Sequence, residues 1–242
     1  SGQTSHKYIN SETGQQICTI NSAEFTSLID QLTTEFNFRK ENIYEAASIS
    51  MAMVTRYSLG SFADRSKVLS IATDSLAGLI AVATLRHLVN GGALGYILVL
   101  DKESELSPEF ERELGIAKKL GIHILTLTEA TVILGNLHCV LLGTYSQKTK
   151  KFLAQDLIDS INDLPLPVHS IIFPSIGPAI NTPALYAAST LSLGLPIEEL
   201  TLYEDYVGRK FLCDICIPKS IYSAYDMEHC SLFSKQPVIK IK

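Results

Sequence analysis

The sequence predicts an α/β fold built as a three-layer sandwich, with a mostly parallel central sheet and helices on both faces. Two observations carry this. From residue 67 onward, short apolar runs alternate with segments of helical periodicity, the order that builds βαβ units. The runs are apolar at nearly every position rather than at every second one, which is the pattern of strands covered on both faces. With 46% hydrophobic residues among 242, the chain can bury one large core, and no linker interrupts the alternation. The architecture is therefore Rossmann-like and doubly wound.

Taken in order, residues 1–16 are polar and read as a flexible N-terminal arm, leaving 17–242 as a single domain. Asn21 and Glu24 have the spacing of a capping box. Phe25, Leu28, Ile29, Leu32 and Phe36 then recur on one helical face. A second helix is expected over 41–57, where Ala46, Ala47, Ser48, Ser50 and Ala52 allow close packing and Gly60 supplies a stop. Strands follow over 67–72, 96–100, 123–126, 138–143, 168–173 and 211–217. Helices fall between them over 75–89, 108–120, 129–134 and 150–162, with a helical stretch near 183–193.

Composition narrows the function. A net charge of −5 gives no global attraction to nucleic acid or anionic lipid, so any RNA contact must come from a local cluster. No apolar run approaches the roughly 18 residues of a membrane span, and the polar 1–21 segment carries no leader pattern. No membrane partner is expected. Five irregularly spaced cysteines suit a reducing compartment rather than a disulfide framework. Cys213 and Cys216 have C-x-x-C spacing, but on a strand they point to opposite faces, which favours structural roles.

Ligands of open α/β sheets bind beyond the carboxyl ends of strands. The first such place is the turn Thr73-Asp74-Ser75-Leu76-Ala77-Gly78. A phosphate cradle needs glycines whose N–H groups reach the anion. Here Gly78 is the only glycine, and Asp74 or Ser75 reads as a helix N-cap that satisfies those N–H groups itself. The Asp74 carboxylate would also repel a phosphate.

The stretch Phe-Leu-Cys-Asp-Ile-Cys-Ile-Pro over 211–218 follows Gly208-Arg209, and Leu193-Gly194-Leu195-Pro196 stands upstream. In these motifs, and over roughly residue 22 to the end, the chain resembles the YjeF N-terminal domain family. That family includes the NAD(P)HX epimerases, which repair hydrated nicotinamide cofactors with a bound potassium ion. The resemblance implies three site segments. Active members read Gly-Pro-Gly-Asn-Asn-Gly-Gly-Asp-Gly where this chain reads Thr73 to Ala81, and Ala77 stands at the ion-binding Asn; Arg86-His87-Leu88 is kept. Their Pro-Ser-Gly-x-Asp turn is Pro174-Ser175-Ile176-Gly177-Pro178 here, without the acid. Their Asp-Ala-Leu-Leu-Gly-Thr is Cys139-Val140-Leu141-Leu142-Gly143-Thr144, so Cys139 replaces an ion-binding Asp. A hard cation needs oxygen ligands, and proton transfer needs a titratable group. The resemblance therefore implies neither catalytic residues nor a metal or other cofactor.

The same losses mark the domain of the enhancer-of-mRNA-decapping scaffold proteins, whose Gly-Arg-x-x-Leu-Cys-Asp-Ile-x-Ile-Pro strand and Leu-Gly-Leu-Pro stretch are both present. This implies a non-catalytic dimerisation domain of a cytoplasmic, P-body mRNA-decay factor, with itself and decapping proteins as partners. RNA or a small ligand is then a candidate occupant of a vestigial crevice lined by Thr73, Asp74, Ser75, Ala77, Gly78, Cys139, Gly143, Pro174 and Ser175. The alternative is a divergent epimerase-like enzyme with an altered site. Self-association is expected on the N-terminal helices, through Phe25, Leu28, Ile29, Leu32, Met51, Met53 and Tyr57. His123 and His138 fall in strand-like runs and read as core or near-core residues, His87 as a charge near a helix C-terminus. Lys148, Lys150 and Lys151 read as a solvated surface; an RNA patch would need Arg65, Lys67 or Arg209 close by.

Overall fold

The computed structural model describes residues 6–146, 153–178, 182–225, 227 and 232–242. The chain begins as a hairpin, β1 (His6–Ile9) and β2 (Gln16–Cys18). Its turn is held by Asn10, whose Oδ1 accepts from Glu12 N at 2.9 Å. Ile9 and Lys242 exchange backbone hydrogen bonds of 2.9 and 3.0 Å. The arm expected over 1–16 is thus, from His6 on, tied to the chain's last strand, because Tyr8, Ile17 and Cys18 carry apolar surface into the core.

Helix α1 (Ser22–Thr34) starts at the expected capping box: Asn21 Oδ1 accepts from Glu24 N at 2.9 Å, and Glu24 Oε2 accepts from Asn21 N at 2.8 Å. Helix α2 (Lys40–Leu59) ends at Gly60, φ 57°. The remaining elements are β3 (Lys67–Ala72), α3 (Leu76–Asn90), β4 (Leu94–Val99), α4 (Pro108–Lys119), β5 (His123–Leu125), α5 (Leu127–Ile133), β6 (Cys139–Gly143), α6 (Gln155–Asn162), β7 (Val168–Ile171), β8 (Ser189–Leu193), α7 (Glu204–Val207), β9 (Arg209–Cys213), α8 (Lys219–Ala224) and β10 (Val238–Ile241).

Eight strands form one sheet in the order β10-β9-β8-β7-β6-β3-β4-β5. Every neighbouring pair is parallel except β9 with β10. Side chains alternate between two cores as the pleat requires. Val68 and Ala72 of β3 and Leu141 of β6 face the core shared with α1 to α4, whereas Leu69, Ile71, Val140 and Leu142 face that of α5 and α6. The α/β sandwich expected from the sequence is the observed one. On the first face α2 lies along α3, with Ala47, Ser48, Ala52 and Thr55 buried between them.

Three expectations are corrected. Residues 183–193 hold an extended segment and strand β8 rather than a helix. Its Ser and Thr residues hid a fully buried strand, because they pair across to β7: His169 Nδ1 lies 2.7 Å from Ser189 Oγ, and Ser170 Oγ 2.6 Å from Thr190 Oγ1. The last parallel strand stops at Cys213 rather than running to 217, since Asp214 Oδ1 accepts from Cys216 N at 2.7 Å and turns the chain, with Cys216 at φ 63°. His123 and His138 are exposed at strand ends; His138 Nδ1 accepts from Lys67 N at 3.0 Å and extends the ladder by one bond.

Candidate functional site

Winding reverses between β3 and β6: β3 leads outward through β4 to β5, and β6 through β7 and β8 to β9. The carboxyl ends of these two strands frame the crevice where a doubly wound sheet binds ligands. Here the chain occupies that position with its own groups. Thr73 N donates to Gly143 O at 3.1 Å, and Thr73 Oγ1 lies 3.4 Å from the same carbonyl, so the two strand ends are bridged directly. Ser75 is the N-cap of α3, its Oγ accepting from Gly78 N at 3.1 Å.

Both glycines serve packing. A Cβ on Gly78 would lie 1.8 Å from Thr73 O, and one on Gly143 would lie 2.3 Å from Ala77 O. The first turn of α3, with Ala77 fully buried, therefore sits against the strand ends and leaves no room for an anion between them.

Asp74 does something the sequence does not show. Its carboxylate turns sideways to the start of α4, Oδ2 accepting from Ser107 N at 2.6 Å and Oδ1 from Ser107 Oγ at 2.8 Å. Ser107 in turn caps α4, and Asp74 N donates to Asp101 Oδ2 at 2.6 Å. The charge expected to repel a phosphate is spent as an anchor between two crossover turns.

Beyond β7, Pro174 and Ser175 are buried; Ser175 Oγ donates to Pro183 O at 2.7 Å, and Pro174 O accepts from Leu185 N at 3.0 Å. Ile172, a β-branched residue at φ 69°, makes the bend that brings them there. Sequence reasoning missed what closes this end. Tyr145, just past Gly143-Thr144, packs edge-on against Phe25 with ring centroids 6.3 Å apart and lies 6.4 Å from Phe173, which meets Tyr203 at 4.9 Å. Thr144 Oγ1 is buried beneath, without a hydrogen-bond partner among the described residues. Its position next to Gly143 was the available signal.

Cys139 does not join the crevice. It opens β6, in register with Val68, while Gly143 closes it. Gly143 lies four residue steps along the strand from Cys139, roughly 13 Å. Burial pushes its thiol up to about 12. Cys213, Cys18 and Cys139 are buried, with Cys18 Sγ donating to Tyr225 O at 3.0 Å, and Cys216 is exposed. Among the described residues no group of His, Cys, Asp or Glu side chains is placed to hold a metal ion.

The kept Arg86-His87 pair has a structural use. Arg86 Nε meets Glu113 Oε1 at 2.8 Å, Arg86 also pairs with Glu45, and His87 Nε2 lies 2.8 Å from Glu45 Oε1. The network ties α2, α3 and α4 together. Of the residues expected to mediate self-association, Phe25, Leu28, Leu32 and Met51 are buried in the chain's own core, and Ile29 packs partly against it. Met53 and Tyr57 are exposed, 42% and 78%, as is Ile49 one turn before Met53. For RNA, Lys148, Lys150 and Lys151 lie outside the described residues. Lys67 and Arg209 begin strands β3 and β9, four places apart in the sheet. That is roughly 19 Å, too far for one patch.

No family model matches the chain, and no curated protein matches it. Among solved structures, a yeast protein, YNL200c, of the YjeF N-terminal type, superposes with a TM-score of 0.77 at 15% identity, over 92% of this chain and 99% of that one. Shikimate dehydrogenase from Aquifex aeolicus matches at a TM-score of 0.38 and 15% identity, over 71% of this chain and 50% of its own. The fold is therefore YjeF N-terminal-like across nearly the whole of the chain.

Proposed function

We propose that the chain is a non-catalytic scaffold domain, a YjeF N-terminal-like fold kept for self-association within a cytoplasmic, P-body mRNA-decapping factor. The observation that carries this reading is the bridged switch point. Thr73 and Gly143 join the two strand ends, and α3 fills the space where an anion would sit. The nearby polar groups are committed: Asp74 to Ser107, Ser75 to the α3 cap, Ser175 to Pro183 O. Proton transfer needs a titratable group free to meet the substrate. The decapping assignment rests on the Gly208-Arg209 strand motif and the Leu193–Pro196 stretch. RNA enters as a weak contact that weakens steeply with salt.

The second reading, an epimerase-like enzyme with relocated chemistry, draws on the Thr144 hydroxyl, buried without a partner among the described residues, and on the left-handed Ile172 at these strand ends. One assay separates the two. Hydrated nicotinamide cofactor epimers, incubated with the protein and potassium, should interconvert at the uncatalysed rate. Saturable turnover abolished by Thr144→Val would establish the enzyme instead.

A further inference from the structure

A concavity lies at the carboxyl ends of β4 and β5, one strand out from the switch point, and its use does not depend on whether that crevice works. It has a volume of about 430 Å³ and is walled by Val99, Leu114 and Ile124. Asp101, Glu103 and Glu111 line it against a single cation, Lys118. Asp101 is engaged with the Asp74 backbone, while Glu103 and Glu111 are exposed.

Alongside runs an open sheet edge. Among the described residues β5 pairs with β4 alone. Its other side presents main-chain groups with no strand beside them, the usual template for an added strand. The flanks are apolar: Ile124 on β5 is 36% exposed and Leu127 at the start of α5 45%.

An apolar hollow rimmed by carboxylates suits a side chain with an aliphatic stem and a cationic end, which is Lys or Arg. A free strand edge suits an extended main chain. We propose that the β5 edge and this hollow form a docking site for an extended basic segment of a partner protein, pairing its main chain with β5 and placing one Lys or Arg between Glu103 and Glu111. A nucleic acid would meet like charge there. A small organic cation would fill the hollow and leave the edge unused.

The test uses the whole chain and a fluorescein-labelled peptide of alternating Val and Arg, titrated by anisotropy. Glu103→Gln/Glu111→Gln should weaken binding by about fivefold or more. The charge-matched variant Asp30→Asn/Glu35→Gln, at exposed positions on α1 and just past its end, should leave it unchanged. The same peptide N-methylated at alternate amides, made in both registers, should bind less well in one register. All four substitutions are at the surface, and circular dichroism confirms that both variants fold. Equal weakening by the two variants would reveal a general charge attraction and overturn the site. Indifference to N-methylation would overturn the strand pairing, and no binding up to about 1 mM would overturn both.

Discussion

His169 shows how one buried group sets a pH dependence. It stands on β7 with Nδ1 2.7 Å from Ser189 Oγ and Nε2 buried without a partner among the described residues. Burial, and after it the charge of Arg209, lowers its pKa from 6.5 to about 4. Between those values the unfolded chain binds the proton and the folded chain does not, so stability rises with pH across this window and is lost on acidification. Going from pH 7.5 to 5 should cost about 2 kcal/mol. Glu45 does not blur the window. Burial alone would raise its pKa, but hydrogen bonds and charge from Arg86, then His87, outweigh this and hold it below 4.5. Its contribution is therefore lost only at still lower pH. Urea unfolding at both pH values should show the loss in the native protein and a flat response in His169→Asn, which keeps a polar group toward Ser189. An equal slope in the variant would place the titrating group elsewhere. Little of this is legible in sequence: a histidine in an apolar run shows neither its burial nor its hydroxyl partner, and His123 and His138, in similar runs, ended at the surface.

At the level of elements, the crevice turn is a joint between β3 and α4. Asp74 gives both carboxylate oxygens to Ser107, whose own hydroxyl accepts from Phe110 N at 3.3 Å. Asp74→Ala should destabilise the protein by about 2 kcal/mol, a charged cap with two hydrogen bonds. The loss should be local: amide exchange should quicken over 101–112 and stay unchanged in α1. Nucleotide affinity should not rise, because the carboxylate never faced the crevice; a gain would mean it did. The elements most legible in the sequence were those with a local rule. The Asn21–Glu24 box and the α2 stop at Gly60 needed only nearest neighbours. The two motifs that carried the family resemblance are one packing unit. Gly194, φ 68°, leaves room for Ile217 Cδ1, which would lie 2.1 Å from an added Cβ; Gly194 N donates to Cys213 O at 2.9 Å, and Tyr222 Oη donates to Gly194 O at 3.1 Å. Such motifs mark a fold and say nothing of chemistry. Strand β8 and the antiparallel β10 depend on partners distant in sequence, and no local period announces them.

For the molecule as a whole, the question is what the N-terminal helices cover. The apolar stripe of α1 is used up internally by Phe25, Leu28 and Leu32. Helix α2 turns its small residues toward α3 and leaves an opposite face on which Ile49, Met53 and Tyr57 recur every fourth residue, with Phe62 63% exposed just beyond. Met and aromatic side chains are those enriched at the centres of interfaces, and a continuous exposed stripe of them is a candidate for a second copy of the same surface. A two-fold axis near Met53 would bury both stripes in one isologous contact. Light scattering should then report about twice the chain's 26.5 kDa. Met53→Glu/Tyr57→Glu should bring the mass to that of one chain without altering the far-ultraviolet circular dichroism. Leu32→Ala, by contrast, should lower stability by about 3 kcal/mol, because its side chain is fully enclosed in the monomer. The pair of outcomes separates interface from core: a double variant that unfolds would return α2's outer face to the core, and an intact protein that stays monomeric at tens of micromolar would remove self-association from the proposed function.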